Sequence, residues 1–215
     1  GVEVKFASGT SLQVFGELVA RGKPSSGITF TSVQDSKVAG DWGKIVFYDS
    51  SDDASYDGDG DYASGSILEY CTVEYGKGIL LNFANPYISQ SAIRYHSGRG
   101  IKTDNYNSSN NSATFKVTNN TISNNAGGIH LYGLGTVLIT GNTISSNSVS
   151  DSGAGIKIDG GAGVTITGNT IEGNVAESEG GGIGGGGGSG RNSMSNNYSF
   201  GGRGGDGIVL FQYLS

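Results

Sequence analysis

The amino-acid sequence predicts an all-β fold, a parallel β-solenoid, from three observations. Glycine accounts for 40 of the 215 residues, against roughly 7% in average proteins. Gly-Ile pairs recur along the chain at nearly constant steps. Between these pairs, short runs alternate apolar and polar residues with the period of two that is typical of strands. No run keeps a helical period, so we expect the repeat to be built from strands alone.

The repeat is set by six Gly-Ile pairs, which begin at Gly78, Gly100, Gly128, Gly155, Gly182 and Gly207. Successive pairs are 22, 28, 27, 27 and 25 residues apart. Two further elements keep the same phase: Asn-Thr-Ile runs that begin at Asn120, Asn142 and Asn169, and apolar runs that begin at Phe115, Val137 and Val164. Internal repetition at a fixed period is the signature of a solenoid. Each coil of about 22–28 residues is therefore predicted to hold three short strands.

The isoleucine of each Gly-Ile pair is expected to face inward, where it packs on the coils above and below. An asparagine closes the turn of three successive units, at Asn125, Asn147 and Asn174. Asparagines at equivalent turns can stack as a hydrogen-bonded ladder. We therefore expect these three to be structural.

Residues 1–215 are expected to form one β-helix domain. Residues 1–75 alternate less regularly and predict capping coils with an acidic loop at residues 49–61, whereas residues 76–215 predict regular coils. The chain begins at Gly1 rather than at a methionine, and we expect it to be part of a larger protein.

The net charge of −6 comes from one segment of the chain. Residues 49–61 hold six of the 19 acidic residues and no base, which leaves 13 acids against 13 bases elsewhere. The remaining bases are spread along the sequence, so no nucleic-acid partner is expected. No apolar run approaches the roughly 18 residues of a membrane span. Cys71, as the single cysteine, excludes an internal disulfide.

The cadence "GGIHLYG…VLITGNTISSN…GAGIKIDGG…VTITGNTIEGN" resembles the right-handed parallel β-helix repeats of the pectate-lyase-like superfamily. The earlier run "ASGTSLQVFGELVARG…SILEYCTVEYG" looks like the first coils of repeat-rich secreted and surface proteins of bacteria and archaea. The resemblance implies a right-handed coil. It is less specific for function, because that superfamily includes lyases, hydrolases, epimerases, tailspikes and non-catalytic modules.

Polar residues that follow the inward isoleucines form two predicted outward columns. They are Lys102, His130 and Lys157 in one column and Asp104, Tyr132 and Asp159 in the other. We interpret this outward charged face as a glycan site, with Asp104, His130 and Asp159 as candidate catalytic residues and Lys102, Tyr132 and Lys157 as candidate substrate-binding residues. Asp104 and Asp159 would lie two coils apart, roughly 9–10 Å, near the upper limit for an inverting acid/base pair. The alternative is that stacked Lys and Asp simply offset each other.

A second basic cluster lies in "IRYHSGRGIKTD", where Arg94 and Arg99 are further candidates for substrate binding. Arg94 and His96 are expected to share one strand face beside Lys102 and to bind an acidic sugar. A solvated basic turn is the alternative. The enzymatic motifs of the resembled superfamily are missing: no Gly-His-Gly accompanies an adjacent Asp pair, and no Arg-x-Pro-x-x-Arg occurs.

The acidic loop holds Asp57, Asp59 and Asp61 at alternate positions, as in the first half of an EF-hand calcium loop. Tyr62 and Leu68 stand where that loop has Gly and Glu. The sequence therefore leaves two interpretations of this loop open: a calcium site, with calcium as the one candidate cofactor, and a solvated insertion.

The leading functional hypothesis is a secreted or cell-surface module that binds polysaccharide through the outward charged face. The alternatives are a polysaccharide lyase or glycoside hydrolase acting on glycans with uronic acids, and a purely structural scaffold or adhesin repeat. The apolar carboxy-terminal coil with Phe211, Tyr213 and Leu214 also predicts a homo-oligomer.

Overall fold

The computed structural model describes residues 1–104, 113–133, 135–159, 163–178 and 180–185. In these residues the chain winds through three sheets in turn, and each pass through all three makes one coil. Strands of neighbouring coils pair in parallel in all three sheets. The described part of the chain contains strands and turns but no helix, and so none that could cross a lipid bilayer. The prediction of an all-β parallel solenoid with three short strands per coil is confirmed.

The first sheet contains β1 (Val2–Phe6), β4 (Ile28–Ser32), β9 (Cys71–Glu74), β12 (Ala92–Arg94), β15 (Thr121–Ser123), β18 (Thr143–Ser145) and β22 (Thr170–Glu172). The second contains β2 (Leu12–Val14), β5 (Ile45–Phe47), β10 (Ile79–Leu81), β13 (Ile101–Thr103), β16 (Ile129–Tyr132), β20 (Ile156–Asp159) and β24 (Ile183–Gly185). The third contains β3 (Val19–Arg21), β8 (Ile67–Glu69), β11 (Tyr87–Ser89), β14 (Thr114–Thr118), β17 (Thr136–Thr140) and β21 (Val164–Thr167). Two small pairs complete the fold: β6 (Ser55–Tyr56) with β7 (Tyr62–Ser64), and β19 (Ser148–Val149) with β23 (Val175–Ala176).

The Gly-Ile pairs set the register of the second sheet. Ile79, Ile101, Ile129 and Ile156 are partners in consecutive strands, and each is at most 1% exposed. The glycine before each isoleucine is needed because consecutive coils meet there: a Cβ at Gly128 would collide with the carbonyl oxygen of Gly155. The repeat seen in the sequence is therefore a repeat of coil-to-coil contact.

The predicted asparagine ladder is present. The Oδ1 atom of Asn147 accepts hydrogen bonds from the backbone N–H and the side-chain amide of Asn125, both at 3.0 Å. Asn174 receives the same two bonds from Asn147, at 3.0 and 2.9 Å. A second ladder, which was not predicted, runs through Asn120, Asn142 and Asn169 with bonds of 2.8–3.0 Å. Both ladders are hydrogen-bond networks of largely buried side chains, of the kind that specify one packing arrangement.

Residues 1–75 contribute strands to the same three sheets as the later coils. The division between capping coils and regular coils at residue 75 stays a prediction. The last predicted coil, with Gly207, Phe211, Tyr213 and Leu214, lies outside the described residues, so the predicted oligomer contact does as well.

The acidic loop, residues 49–61, includes β6 and leads into β7, with which β6 forms an antiparallel pair. We call residues 55–64 the acidic hairpin. Its base packs on the third sheet, where Tyr62 stacks with Tyr87 at 6.2 Å between ring centroids. Lys116 holds the tip, because its Nζ donates to the carbonyl of Gly60 at 2.7 Å and lies 3.7 Å from the ring centroid of Tyr56. The three aspartates of the tip are exposed. The hairpin is therefore attached to the third sheet through Tyr62 and Lys116, while the aspartates of its tip are in solvent.

Candidate functional site

A cleft of about 400 Å³ opens at the corner where the chain passes from the first sheet to the second. Its cationic and titratable lining comes from Lys44, Lys77, Arg99, Lys102 and His130, which together define what we call the cationic cleft. These residues belong to four consecutive coils. Lys44 precedes β5, Lys77 precedes β10 and Arg99 precedes β13, whereas Lys102 lies in β13 and His130 in β16. The repeated corner thus brings together side chains that are up to 86 residues apart in sequence.

The ammonium groups of Lys44, Lys77 and Lys102 form no ion pair within the part of the chain that the structure describes. None of the described residues that line the cationic cleft is acidic. Unpaired like charges in one concave surface create a positive potential that attracts anions. The cleft is therefore suited to an anionic ligand.

The repeat explains why these cationic side chains lie at the same corner of the solenoid. Lys77 and Arg99 occupy the same position of consecutive coils, the residue immediately before a Gly-Ile pair. Lys44 occupies the glycine position itself, before Ile45, which pairs with Ile79. Lys102 follows the inward Ile101 and points outward. Paired strands lie about 4.8 Å apart, so these cations of consecutive coils meet in one cleft although their positions relative to the inward isoleucine differ.

Next to the cationic cleft lies an ionic network of Arg99, Asp151, Lys157, Asp159 and His130. The Arg99 guanidinium donates to Asp151 at 2.7 Å and to the carbonyls of Gly153 and Ser152 at 2.8 and 3.0 Å. Lys157 lies 2.7 Å from Asp151 and 3.4 Å from Asp159, and His130 Nε2 lies 2.8 Å from Asp159 Oδ2. Two cations thus offset two carboxylates, so the network adds no net charge.

Burial is the main cause that lowers the pKa of His130 below its usual value, and the hydrogen bond to Asp159 opposes it. The charges of Arg99 and Lys157 lower the pKa of His130 further. The ring is therefore neutral at pH 7. With Nε2–H donating to Asp159, Nδ1 is left as the basic nitrogen.

The ionic network stabilises the charged form of the Asp151 carboxyl group. Burial alone would raise the pKa of this carboxyl, but the hydrogen bond and charge of Lys157 and the charge of Arg99 outweigh it and hold the pKa below its usual value. Arg99 is 8% exposed at its side chain. The Arg99 side chain is therefore held in one position at the edge of the cleft.

The structure brings together most of the predicted outward charged face. Lys102 and His130 are register partners, as are His130 and Lys157, and Tyr132 and Asp159. The rings of His130 and Tyr132 make an edge-to-face contact, with 6.2 Å between their centroids. Asp104 follows the end of β13 and is absent from the cleft lining. The roles of these residues in catalysis or binding stay predictions.

The prediction for Arg94 and His96 is wrong in its geometry. Arg94 lies in the first sheet, not in the sheet of Lys102, and binds Glu74 through two hydrogen bonds of 3.0 and 2.9 Å. His96 is 2% exposed and does not share the outward face of Arg94. Tyr95 between them has a φ of 56°, and this left-handed residue turns the chain so that His96 points inward.

The acidic hairpin places Asp57, Asp59 and Asp61 within one turn. The Oδ1 atom of Asp57 accepts the backbone N–H groups of Asp59 and Asp61 at 3.0 and 2.9 Å. Across the described residues, no group of three or more His, Cys, Asp or Glu side chains is placed to hold a metal ion. The calcium site therefore stays a prediction, and a calcium titration followed by calorimetry would test it.

Lys44, Lys77 and Asp151 were not identified from the sequence. The signal for Lys77 was available, because the position before each Gly-Ile pair carries Lys and then Arg in consecutive coils. Lys44 and Asp151 carry no such signal. Lys44 replaces a glycine of the repeat, and Asp151 lies in the connection between β19 and β20.

Comparison with known proteins agrees with this architecture. A family model described as a right-handed beta helix region matches residues 22–197. A search of curated proteins found no match. A search of solved structures also found none.

Proposed function

Because this chain belongs to the right-handed β-helix family, we propose that it is a secreted or cell-surface module that binds an acidic polysaccharide in the cationic cleft. The observation that supports this ligand class is the set of three ammonium groups without an ion-pair partner among the described residues, Lys44, Lys77 and Lys102. Carboxylate or sulfate groups of a glycan would supply the missing anions.

The neighbouring acidic groups do not oppose such a ligand. Asp151 is bound to Arg99 and Lys157, and Asp159 is bound to His130 and Lys157. Their charges are therefore already offset within the ionic network. The three lysines, in contrast, come from three consecutive coils, which suits a polymer that carries several anions.

Each lysine is expected to contribute little by itself. An exposed ion pair stabilises by about 0.2–1 kcal/mol and is weakened by salt. Replacing one lysine by glutamine should therefore weaken binding about 1.4- to 5-fold, and replacing all three should weaken it by the product of the single effects. Affinity should come from many such contacts along one polymer.

The test measures binding of polygalacturonate, alginate and hyaluronate at low and high salt. The variants are Lys77→Gln, Lys102→Gln and the triple substitution with Lys44→Gln. Lys23→Gln is the matched control, because Lys23 is an exposed lysine outside the cleft. Equal binding by the control and the triple variant, or no binding of any of the three polymers by the native protein, would refute the proposal. In the second case the structural-scaffold alternative would be left.

The second candidate function is a polysaccharide lyase acting on glycans with uronic acids. It is favoured by one observation, the 2.8 Å contact between His130 and Asp159 at the wall of the cationic cleft. In such a reaction a base removes the proton next to the sugar carboxylate, the electrons form a carbon–carbon double bond, and the glycosidic oxygen leaves and is protonated by water. His130 Nδ1 would accept that proton, Asp159 would orient the ring, and Lys102 would offset the charge that develops at the carboxylate.

The two candidates differ in what His130→Gln should do. If the protein is a lyase, this variant loses formation of the ultraviolet-absorbing unsaturated product but still binds the polymer. A binding module forms no such product with any of the three polymers. A glycoside hydrolase would instead release new reducing ends without ultraviolet absorbance, and Asp159→Asn and Asp104→Asn would test it.

A further inference from the structure

Two tyrosines stack on the outer surface of the solenoid in consecutive coils. Tyr75 follows β9 and Tyr95 follows β12, and their rings are 5.3 Å apart between centroids with 14° between the ring planes. We call this pair the tyrosine stack. Tyr95 is 37% exposed. The pair thus presents an aromatic surface that is partly open to solvent.

The backbone at this corner does not favour tyrosine. Tyr75 and Tyr95 have φ values of 61° and 56°, in the left-handed region that bulky residues rarely adopt. The equivalent position of the next three coils holds Asn124, Ser146 and Gly173, with φ values of 57°, 55° and 59°. Glycine and asparagine tolerate this conformation well. Tyrosine is therefore placed twice at a position where the next three coils carry Asn, Ser or Gly, and Tyr70 and Phe83 are the other aromatic residues with a positive φ in the described part of the chain.

The tyrosine stack adjoins the cationic cleft along the chain. Tyr75 is two residues before Lys77, and Tyr95 is two residues before Ser97, and both Lys77 and Ser97 line the cleft. The rings are also fixed in place. The guanidinium carbon of Arg94 lies 5.5 Å from the Tyr95 centroid, and Arg94 is itself held by Glu74. A rigid aromatic surface therefore continues the corner beyond the lysines.

We propose that the tyrosine stack is a second binding subsite for the same polymer. A sugar ring would pack its C–H face on the tyrosines while the lysines bind the acidic groups of the polymer. The C–H face of a pyranose carries small positive partial charges and packs against the negative face of an aromatic ring. The subsite would select carbohydrate over other polyanions, which the lysines alone do not distinguish. This inference rests on the proposed binding of an acidic polysaccharide.

The decisive variant is Tyr95→Asn, because asparagine is the residue that the next coil uses at the same position. Since it relieves the left-handed tyrosine, this variant should be at least as stable to heat as the native protein. Its affinity for the polyuronate that binds should nevertheless fall about 2- to 10-fold, the range expected for loss of one aromatic contact. Tyr95→Phe keeps the ring and should bind normally. Phe15→Ala, which removes an exposed ring in the first coil, is the matched control and should also bind normally.

A comparison of ligand lengths separates the two subsites. Monomeric galacturonate can occupy the lysines alone, so Tyr95→Asn should not change its binding, whereas binding of the polymer should weaken. An NMR titration of the native protein with the polymer should shift the Tyr95 ring signals. If Tyr95→Asn binds the polymer normally while the lysine variants do not, the subsite is refuted and the cationic cleft stands. If the lysine variants also bind normally, or if oligonucleotides bind as tightly as the polyuronates, the glycan proposal falls with it.

Discussion

The single buried histidine of the core should make the protein sensitive to acid. His96 occupies the position of one more step of the asparagine ladder: its backbone N–H donates to Asn125 Oδ1 at 3.0 Å, and its Nδ1 accepts from the backbone N–H of Gly76 at 3.1 Å. Burial lowers the pKa of His96 from 6.5 to about 4, against smaller raising effects of the Gly76 and Val73 backbone and of Glu74. The neutral imidazole of His96 thus stands at the ladder position that an asparagine amide occupies in the later coils.

The sign of the effect follows from the lowered pKa. The unfolded chain takes up the proton near pH 6.5, whereas the folded chain takes it up only near pH 4. The stabilising contribution is therefore complete above pH 6.5 and is lost as the pH falls to about 4. At about 1.4 kcal/mol per pKa unit, the loss is about 3 kcal/mol. Protonated Nδ1 would also face the Gly76 N–H as a second donor.

The perturbation is His96→Asn, which restores the regular ladder residue and removes the titrating group. Denaturant unfolding of both proteins at pH 7.5, 6, 5 and 4 gives the free energy of unfolding at each pH. We expect the native protein to lose about 3 kcal/mol more than the variant between pH 7.5 and 4. Both proteins keep His130 and every carboxyl group, so the difference isolates His96. Equal losses in the two proteins would refute the reasoning.

Three further predictions concern stability and local order. Asn147→Asp keeps the acceptor but not the donor of a residue that is 0% exposed, and it should lower the free energy of unfolding by about 1–3 kcal/mol or more in a denaturant titration; an unchanged midpoint would show that the ladder is not stabilising. Gly128→Ala should lower the melting temperature because of the collision between coils, whereas Gly16→Ala, where a Cβ meets nothing within 4 Å, should not; similar melting of the two would contradict the close-contact explanation. Lys116→Met should release the acidic hairpin and speed its proteolysis without a change in the melting temperature, and unchanged cleavage would show that the bond to Gly60 does not hold it.

The fold could be predicted because its determinants repeat. Each Gly-Ile pair reports a contact between two coils, so the inward isoleucines and the Asn125 ladder follow from spacing alone. Counting alternate residues failed where the chain leaves a strand. Arg94 and His96 are two apart and should share a face, but the left-handed Tyr95 between them reverses the direction of the next side chain.

The site could be predicted only in part for the same reason. Lys102, His130 and Lys157 lie in strands, and their register follows from the repeat. Lys44 and Lys77 lie at corners, where loops of different length precede the strand. The position of Lys77 repeats as Arg99 in the next coil, but Lys44 stands in the place of a glycine and has no such signal. The even spread of the bases along the sequence also gave no sign of a cleft, although the fold brings four of the 13 Lys and Arg residues together there, Lys44, Lys77, Arg99 and Lys102.

The one-to-one register between coils has a consequence for how such a protein changes in evolution. Duplicating one coil would add one step to every column at once: an isoleucine to the core, an amide to each ladder and a side chain to the surface row. The solenoid would lengthen by about 4.8 Å without disturbing the coils on either side. The number of coils therefore sets the length of the solenoid, and a gene can extend it by copying a unit that it already encodes.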